Sequence, residues 1–291
     1  MISAENILFR YDESTPVLRL RSLAIRDGEY VALIGPNGCG KTTLIKHLNA
    51  LLLPSEGSVL VDGLNTKDTK TVREIRCLVG MVFQNPDNQI FGMTVEEDVA
   101  FGPANLGLPS DEIQKRVEAA LAAVGMTGCA KRPPHTLSGG EKRLVSIAGV
   151  LAMNPRYIAF DEPTASLDPA GKQRVLNMIN QLNSEGIAII HITHDMNEII
   201  HADRVMVMDR GTITLDAAPS EVFKRVEFLK SLGLHVPQVT ELFLQLQKMG
   251  WDVDTNVLTI EDACSEIASW DGCHPKELSC VKTQKRAGNH V

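Results

Sequence analysis

The run Tyr30-Val31-Ala32-Leu33-Ile34, followed at once by Gly35-Pro36-Asn37-Gly38-Cys39-Gly40-Lys41-Thr42-Thr43, is the strongest constraint in this sequence. An unbroken apolar run predicts a strand buried on both faces, the environment of a parallel sheet. A Gly-x4-Gly-Lys-Thr loop that leaves such a strand and opens a helix predicts a phosphate cradle. Its glycines let backbone N–H groups turn onto phosphate oxygens, and the helix start adds the positive end of its dipole. In such a loop Lys41 reaches the β- and γ-phosphates and the Thr42 hydroxyl ligates Mg²⁺. Cys39, inside the loop, reads as a small filler side chain rather than a redox group.

The rest of the chain narrows the setting. Its 291 residues, 44% of them hydrophobic, suffice for a sizeable core. A net charge of −7 argues against a nucleic-acid partner, which would favour a basic face. The first residues read as a charged strand and not as a signal peptide. The longest apolar run, Leu144–Met153, falls well short of the ~20 residues of a membrane span. The expectation is a cytosolic chain that meets a membrane only through partners. The six scattered cysteines suit reduced thiols.

Alternating segments around Ile2–Arg10, Val17–Ile25 and Ser58–Val61 predict half-buried strands. Short continuous apolar runs at Tyr30–Ile34, Tyr157–Phe160, Ala188–Ile192 and Val205–Met208 predict buried parallel strands. Helical periodicity follows Lys41 and recurs over Asp111–Val124, Glu141–Met153 and Ala170–Asn183. The predicted class is α/β, with an antiparallel β portion near the start. Beyond Pro219 shorter helices are expected at Glu221–Leu232, Val239–Lys248 and Glu261–Ile267, broken by Gly233, Pro237 and Gly250. Residues 272–291 read as a mobile tail. Cys264, Cys273, His274 and Cys280 toward this end match no standard zinc spacing.

Tyr157-Ile158-Ala159-Phe160-Asp161-Glu162 is an apolar strand running into two acids. Beside a phosphate loop, Asp161 is placed to hold Mg²⁺ and Glu162 to polarise an attacking water. His194 follows the apolar run Ala188–Ile192, at the end of the sheet where α/β proteins bind ligands, and there it can meet a γ-phosphate. His191, within that run, reads as a packed core residue.

One motif does not fit an isolated hydrolase. Leu137-Ser138-Gly139-Gly140-Glu141 starts a helix running to about Met153, roughly 20 Å at 1.5 Å per residue. The far end of that helix leads into the strand carrying Asp161. Ser138 with the bare N–H groups of Gly139 and Gly140 makes an anion site, yet one held a helix length from the chain's own acids. It can also be an ordinary capping box. The anion-site reading resolves if the motif covers a nucleotide bound to another subunit.

With these motifs in order, residues 1–218 resemble the ATP-binding-cassette ATPases. LSGGE looks like the family signature, GPNGCGKTT its phosphate loop, and YIAFDEP its carboxylate strand with catalytic Glu162. Gln84 resembles the glutamine that senses Mg²⁺ and the membrane partner, Ser166-Leu167-Asp168 the loop after the carboxylates, His194 the switch histidine, and Tyr11 the adenine-stacking aromatic. Cys39 and Thr42 stand in place of more usual serines, and Glu141-Lys142 in place of a common glutamine pair. The resemblance implies ATP and Mg²⁺ as ligands, with Lys41, Glu162 and His194 catalytic. Tyr11, Gly35, Asn37, Gly38, Cys39, Gly40, Lys41, Thr42, Thr43, Gln84, Ser138, Gly139, Gly140, Glu141 and Asp168 would contact nucleotide, and Thr42, Gln84 and Asp161 metal. It implies the cassette fold: an α/β phosphate-loop core, an antiparallel β subdomain, a helical signature subdomain at about 85–155, and a helical extension at 219–271.

A narrower resemblance lies in Gln84-Asn85-Pro86-Asp87-Asn88-Gln89-Ile90-Phe91, in Val95–Pro103 and in Leu232-Gly233-Leu234-x2-Pro237-Gln238-Val239-Thr240. These are similar to the ATPases of energy-coupling factor importers for cobalt, nickel and vitamins. That implies a second ATPase subunit, a transmembrane coupling subunit, a substrate-binding membrane subunit, and a place on the cytoplasmic face of the membrane. The alternatives are another cassette importer or a cytosolic cassette protein. Chromosome-organising members need long heptad insertions and translation-associated members two cassettes, and neither pattern is present.

Overall fold

A computed structural model of the chain describes residues 1–12 and 15–269. The expected tail at 272–291, with Cys273, His274 and Cys280, lies outside them. The chain forms two compact units, Met1–His235 and one that begins at Val236.

The first unit opens with β1 (Ile2–Phe9), β2 (Leu18–Ile25) and β3 (Tyr30–Ile34), then α1 (Lys41–Leu48), β4 (Glu56–Val61) and β5 (Leu64–Asn65). Strands β2, β1, β4 and β5 make an antiparallel sheet in that order. β1 and β2 bury alternate residues in each half, with one step out of phase at mid-strand. Next come α2 (Val72–Leu78), β6 (Val79–Val82), α3 (Val95–Asn105), α4 (Ser110–Ala123), α5 (Gly139–Leu151) and β7 (Tyr157–Asp161). The unit continues through α6 (Pro169–Ser184), β8 (Ala188–Ile192), β9 (Arg204–Asp209), β10 (Thr212–Ala217), α7 (Pro219–Phe223) and α8 (Val226–Ser231).

The second sheet has the order β10-β9-β3-β8-β7-β6, parallel except for the β10–β9 pair. Every residue of β3, β7 and β8 is buried, because sheet and helix layers cover both faces. Ile45, Leu48, Val79, Tyr157, Ile190 and Met208 share one apolar core with the buried faces of the antiparallel sheet.

Several elements escape a reading of periodicity, among them β6, α3 and β10. β6 is four residues long with a glycine inside it. A Cβ on Gly80 would lie 2.3 Å from Val150 Cγ1, so the glycine admits α5 against the sheet. α3 contains Gly102 and Pro103, which weaken its helical signature, but Thr94 and Glu97 close a capping box at its start. β10 is an edge strand with no fully buried position. The helix expected over Glu221–Leu232 is instead α7 and α8, separated at Arg225 by a non-helical backbone (φ −88°, ψ 50°).

The second unit contains α9 (Gln238–Lys248) and α10 (Ile260–Ala268). Phe243, Val253, Val257 and Ala263 form its core, and the buried Thr240 hydroxyl donates to the Val257 carbonyl at 2.7 Å. Among the described residues, no helix is long and apolar enough to cross a membrane.

Truncating Ile190 of β8, 1% exposed in the main core, tests this layering. Ile190→Ala should lower unfolding free energy by about 2–5 kcal/mol in urea denaturation. A loss well under that range would mean the middle of the sheet is not tightly packed.

Candidate functional site

The C-terminal ends of β3, β7 and β8 lie side by side, with Asp161 paired to Ile192 and Ile192 to Leu33. That edge floors a cleft of about 630 Å³. Its lining includes Tyr11, Asn37, Gly38, Gly40, Lys41, Thr42, Thr43, Gln84, Asp161, Glu162 and His194. Residues from five separate stretches of sequence therefore converge on one hollow.

The loop 35–40 takes its path from its glycines. A Cβ on Gly35 would lie 2.1 Å from the Met208 carbonyl oxygen, so only glycine lets the loop pass this close to β9. Gly38 adopts φ +76°, a region where other residues are strained. α1 then starts at Gly40 with no side-chain cap and no acid in its first turn. Its first N–H groups and its positive dipole end are left for an anion. Lys41 is 7% exposed, and its Nζ donates to the carbonyls of Gly35 at 2.7 Å and Pro36 at 3.0 Å. The ammonium is thus folded over the loop it serves. Burial raises the Cys39 pKa above the ordinary thiol value and keeps the thiol protonated, which suits a filler.

The acids lie opposite. Thr42 Oγ1 donates to Asp161 Oδ2 at 2.8 Å. Burial raises the Asp161 pKa, while the Thr42 hydrogen bond opposes the shift and the neighbouring Glu162 charge adds to it. A threonine hydroxyl, a carboxylate and the Gln84 amide are hard oxygen donors, fitting a Mg²⁺ that takes its other ligands from phosphate and water. No group of three or more His, Cys, Asp or Glu residues able to hold a metal is present among the described residues.

Glu162 sits at φ +49°, outside the usual range for a side chain of its size, and its N–H donates to the Ile192 carbonyl at 3.0 Å. Its carboxylate lies between two partners. Gln84 Nε2 donates to Oε2 at 2.8 Å, and His194 Nε2 stands 2.6 Å from Oε1. Tyr11 is 61% exposed, with its hydroxyl 3.0 Å from Thr43 Oγ1 and its ring edge-on to Phe9 at 5.0 Å.

The remaining residues singled out from the sequence do not line this cleft. Gly35 and Cys39 belong to the loop but are not among the residues that line the cleft. Ser138 and Glu141 close a capping box on α5: Glu141 N–H donates to Ser138 Oγ at 3.3 Å, and Ser138 N–H to Glu141 Oε2 at 2.7 Å. A Cβ on Gly139 or Gly140 would meet nothing within 4 Å, so both open outward. Gly139 instead lines a second cleft of about 420 Å³ with Asp87, Lys142, Ser166 and Leu167. Asp168 caps α6, accepting from Gly171 N–H at 3.2 Å. Gln84 borders both clefts.

Sequence reasoning missed Arg143. It is 1% exposed, and its guanidinium donates to the carbonyls of Phe83 and Gln84, tying α5 to the segment that carries Gln84. Burial pushes its pKa down to about 10, which leaves it charged at neutral pH. An arginine one turn into a helix reads as a solvated face. Only its place on the buried side of α5 shows otherwise.

A phosphate loop, an uncapped helix start and two acids at the end of a parallel sheet define a phosphate-loop nucleotide-binding protein. The ABC transporter family model matches residues 18–165. The cobalt import ATP-binding protein CbiO of Syntrophus aciditrophicus is 55% identical over 95% of this chain and 99% of its own length. The energy-coupling factor transporter ATP-binding protein EcfA1 of Caldanaerobacter subterraneus is 55% identical over 90% and 96%. The solved structure of cbiO1 from Clostridium perfringens, described as part of the transporter complex cbiONQ, matches at TM-score 0.72 and 37% identity, over 85% and 96%. A dimeric ATP-binding cassette bound to ADP and Pi matches at TM-score 0.68 and 29% identity, over 75% and 99%. The chain belongs to the ATP-binding-cassette family of transporter ATPases.

Asp161 gives this site a signature in stability. A carboxyl whose folded pKa is raised stabilises the fold below its unfolded pKa, and that contribution is lost as pH rises through the folded value. Asp161→Asn should therefore raise the Tm of nucleotide-free protein at neutral pH. The gain should vanish as pH falls below the ordinary carboxylate range. An unchanged or lowered neutral-pH Tm in differential scanning fluorimetry would contradict the buried-charge account.

Proposed function

We propose that this chain is the ATP-hydrolysing subunit of an energy-coupling-factor type importer for a vitamin or a cobalt or nickel ion. It would work on the cytoplasmic face of the membrane, paired with a second ATPase subunit. A transmembrane coupling subunit and a substrate-binding membrane subunit would complete the complex. The near-full-length identity to a cobalt import ATPase and an energy-coupling factor ATPase supports the transporter type.

The mechanism rests on one observation, the Glu162 carboxylate held between Gln84 and His194 at the mouth of the phosphate loop. ATP would take the loop N–H groups and the start of α1 for its phosphates, with Lys41 turning from the Gly35 and Pro36 carbonyls to the γ-phosphate. Tyr11 would offer its exposed ring to adenine. Thr42 and Asp161 would hold Mg²⁺, which supplies positive charge to the phosphate oxygens when bound. Glu162 would orient the attacking water while His194 contacts the γ-phosphate. Gln84 would report the state of the site to the membrane partner.

The presence of two clefts supports pairing with a partner. Gly139, with Ser166 and Leu167, lines the second cleft and not the one formed by the chain's own phosphate loop. Ser138, Gly139 and Gly140 would then close over ATP held by the other subunit, and Asp168 would face across the same interface. A dimeric cassette among the similar structures fits this arrangement.

In Glu162→Gln, ATP binding should persist while turnover falls by about 10²-fold or more, and the protein should accumulate as a dimer with ATP in light scattering. A monomeric Glu162→Gln protein with normal turnover would overturn the reading. In Ser138→Arg, ATP binding should survive and hydrolysis should not. Normal turnover there would dismiss the shared site. The transporter type is tested by purifying the chain from membranes, identifying its partners and measuring which cargo they import.

A further inference from the structure

Behind the cleft lies a buried carboxylate with no role in the reading above. Glu198 ends the short turn Met196–Glu198 that follows β8, and its side chain is 2% exposed. Each of its oxygens accepts from a threonine on a different segment. Thr164 Oγ1 donates to Oε1 at 2.6 Å, and Thr193 Oγ1 donates to Oε2 at 2.7 Å. Thr164 lies just after Glu162 in the stretch leading to Asp168, and Thr193 immediately precedes His194.

The surroundings brace this bridge. Lys172 Nζ, on α6 beyond Asp168, stands 3.0 Å from Glu198 Oε1 and 2.5 Å from Asp195 Oδ2. His191 Nε2 stands 3.4 Å from Glu198 Oε2, and its Nδ1 is 2.8 Å from the Tyr30 hydroxyl. Burial alone would raise the Glu198 pKa, but the contacts with His191, Thr164 and Thr193 bring it down to about 2. As a carboxylate it accepts from both threonines at once. A neutral amide of the same shape has one accepting oxygen and must leave one hydroxyl without its acceptor.

We infer that Glu198 is a positioning residue for hydrolysis: it locks the Thr164–Asp168 segment to the Thr193–Asp195 turn and so holds His194 against Glu162. A shift of the segment bearing Ser166 and Asp168 is carried through Thr164, Glu198 and Thr193 to the residue beside His194. The inference rests on the roles given above to Glu162 and His194. It adds a mechanical link between the face toward the second subunit and the reacting end of the site.

The test compares Glu198→Gln, Thr193→Val, Thr164→Val and Glu198→Gln/Thr193→Val in the full chain with its transporter partners, by ATPase kinetics and thermal melting. Glu198→Gln should lower kcat by about 10- to 100-fold with KM for ATP within about 2-fold of the parent, since misplacement affects the reacting geometry more than binding. Thr193→Val should lower kcat in the same sense. The double variant should be no slower than Glu198→Gln alone, because both changes remove one shared bond. Parental kcat in a folded Glu198→Gln protein overturns the inference. So does a fall in kcat that tracks a fall in Tm and adds fully in the double variant. If Glu198→Gln does not fold, parental kcat in both threonine variants overturns it. Glu162→Gln run in parallel separates the two readings. Lost turnover there with parental turnover in Glu198→Gln removes this inference alone, and retained turnover in Glu162→Gln removes both.

Discussion

Parallel pairing of β3 with β8 and of β8 with β7 carries the site. It brings the chain out of all three strands at one edge of the sheet, with Leu33 opposite Ile192 and Ile192 opposite Asp161. Each strand end then delivers a different group: the phosphate loop, the acids Asp161 and Glu162, and the turn with His194. An open α/β sheet binds ligands at this edge because the loops leaving neighbouring strands diverge there. Thr42 and Asp161, remote in sequence, meet at 2.8 Å because Thr42 lies at the start of the helix that follows β3 and Asp161 ends β7 in the same sheet.

The same edge concentrates features that do not favour a stable fold. Asp161 is a desolvated acid beside a second acid, Glu162 sits at positive φ, and Lys41 is nearly buried. The fully buried strands behind it hold these groups in place, and Arg143 anchors the Gln84 segment from the side of α5. Preorganised groups of this kind act on a developing charge without reorganising at the moment of reaction. Strain localised beside the chemistry, with tight packing beneath it, is a common division in enzymes.

The starts of α1 and α5 show a second division. α1 begins uncapped at Gly40, leaving its N–H groups for phosphate. α5 begins at Ser138 with a closed capping box, its Glu141 also paired to Arg132 at 3.1 Å. Both motifs are glycine-rich helix starts, yet α1 opens into the phosphate cleft and α5 beside Ser166 and Leu167. The two helix starts of one chain thus open into different clefts, which is the physical basis for proposing it as half of a pair.

Unbroken apolar runs marked β3, β7, β8 and most of β9, because a strand covered on both faces has no polar position to offer. The phosphate loop was legible for a related reason: its glycines answer local needs, a close pass at Gly35 and a positive φ at Gly38. β6, α2 and α3 were not legible, being short or interrupted by glycine and proline and held by their neighbours rather than by their own pattern. The sequence by itself determined the buried central strands, the nucleotide chemistry and the presence of a second glycine-rich motif, since each is written in adjacent residues. Only the tertiary structure decided that Gln84 and His194 flank one carboxylate, that Arg143 is buried against Phe83 and Gln84, and that Glu198 bridges two loops. Those contacts join residues far apart in the chain or on faces that periodicity cannot assign, and strand order and helix packing alone bring them within bonding distance.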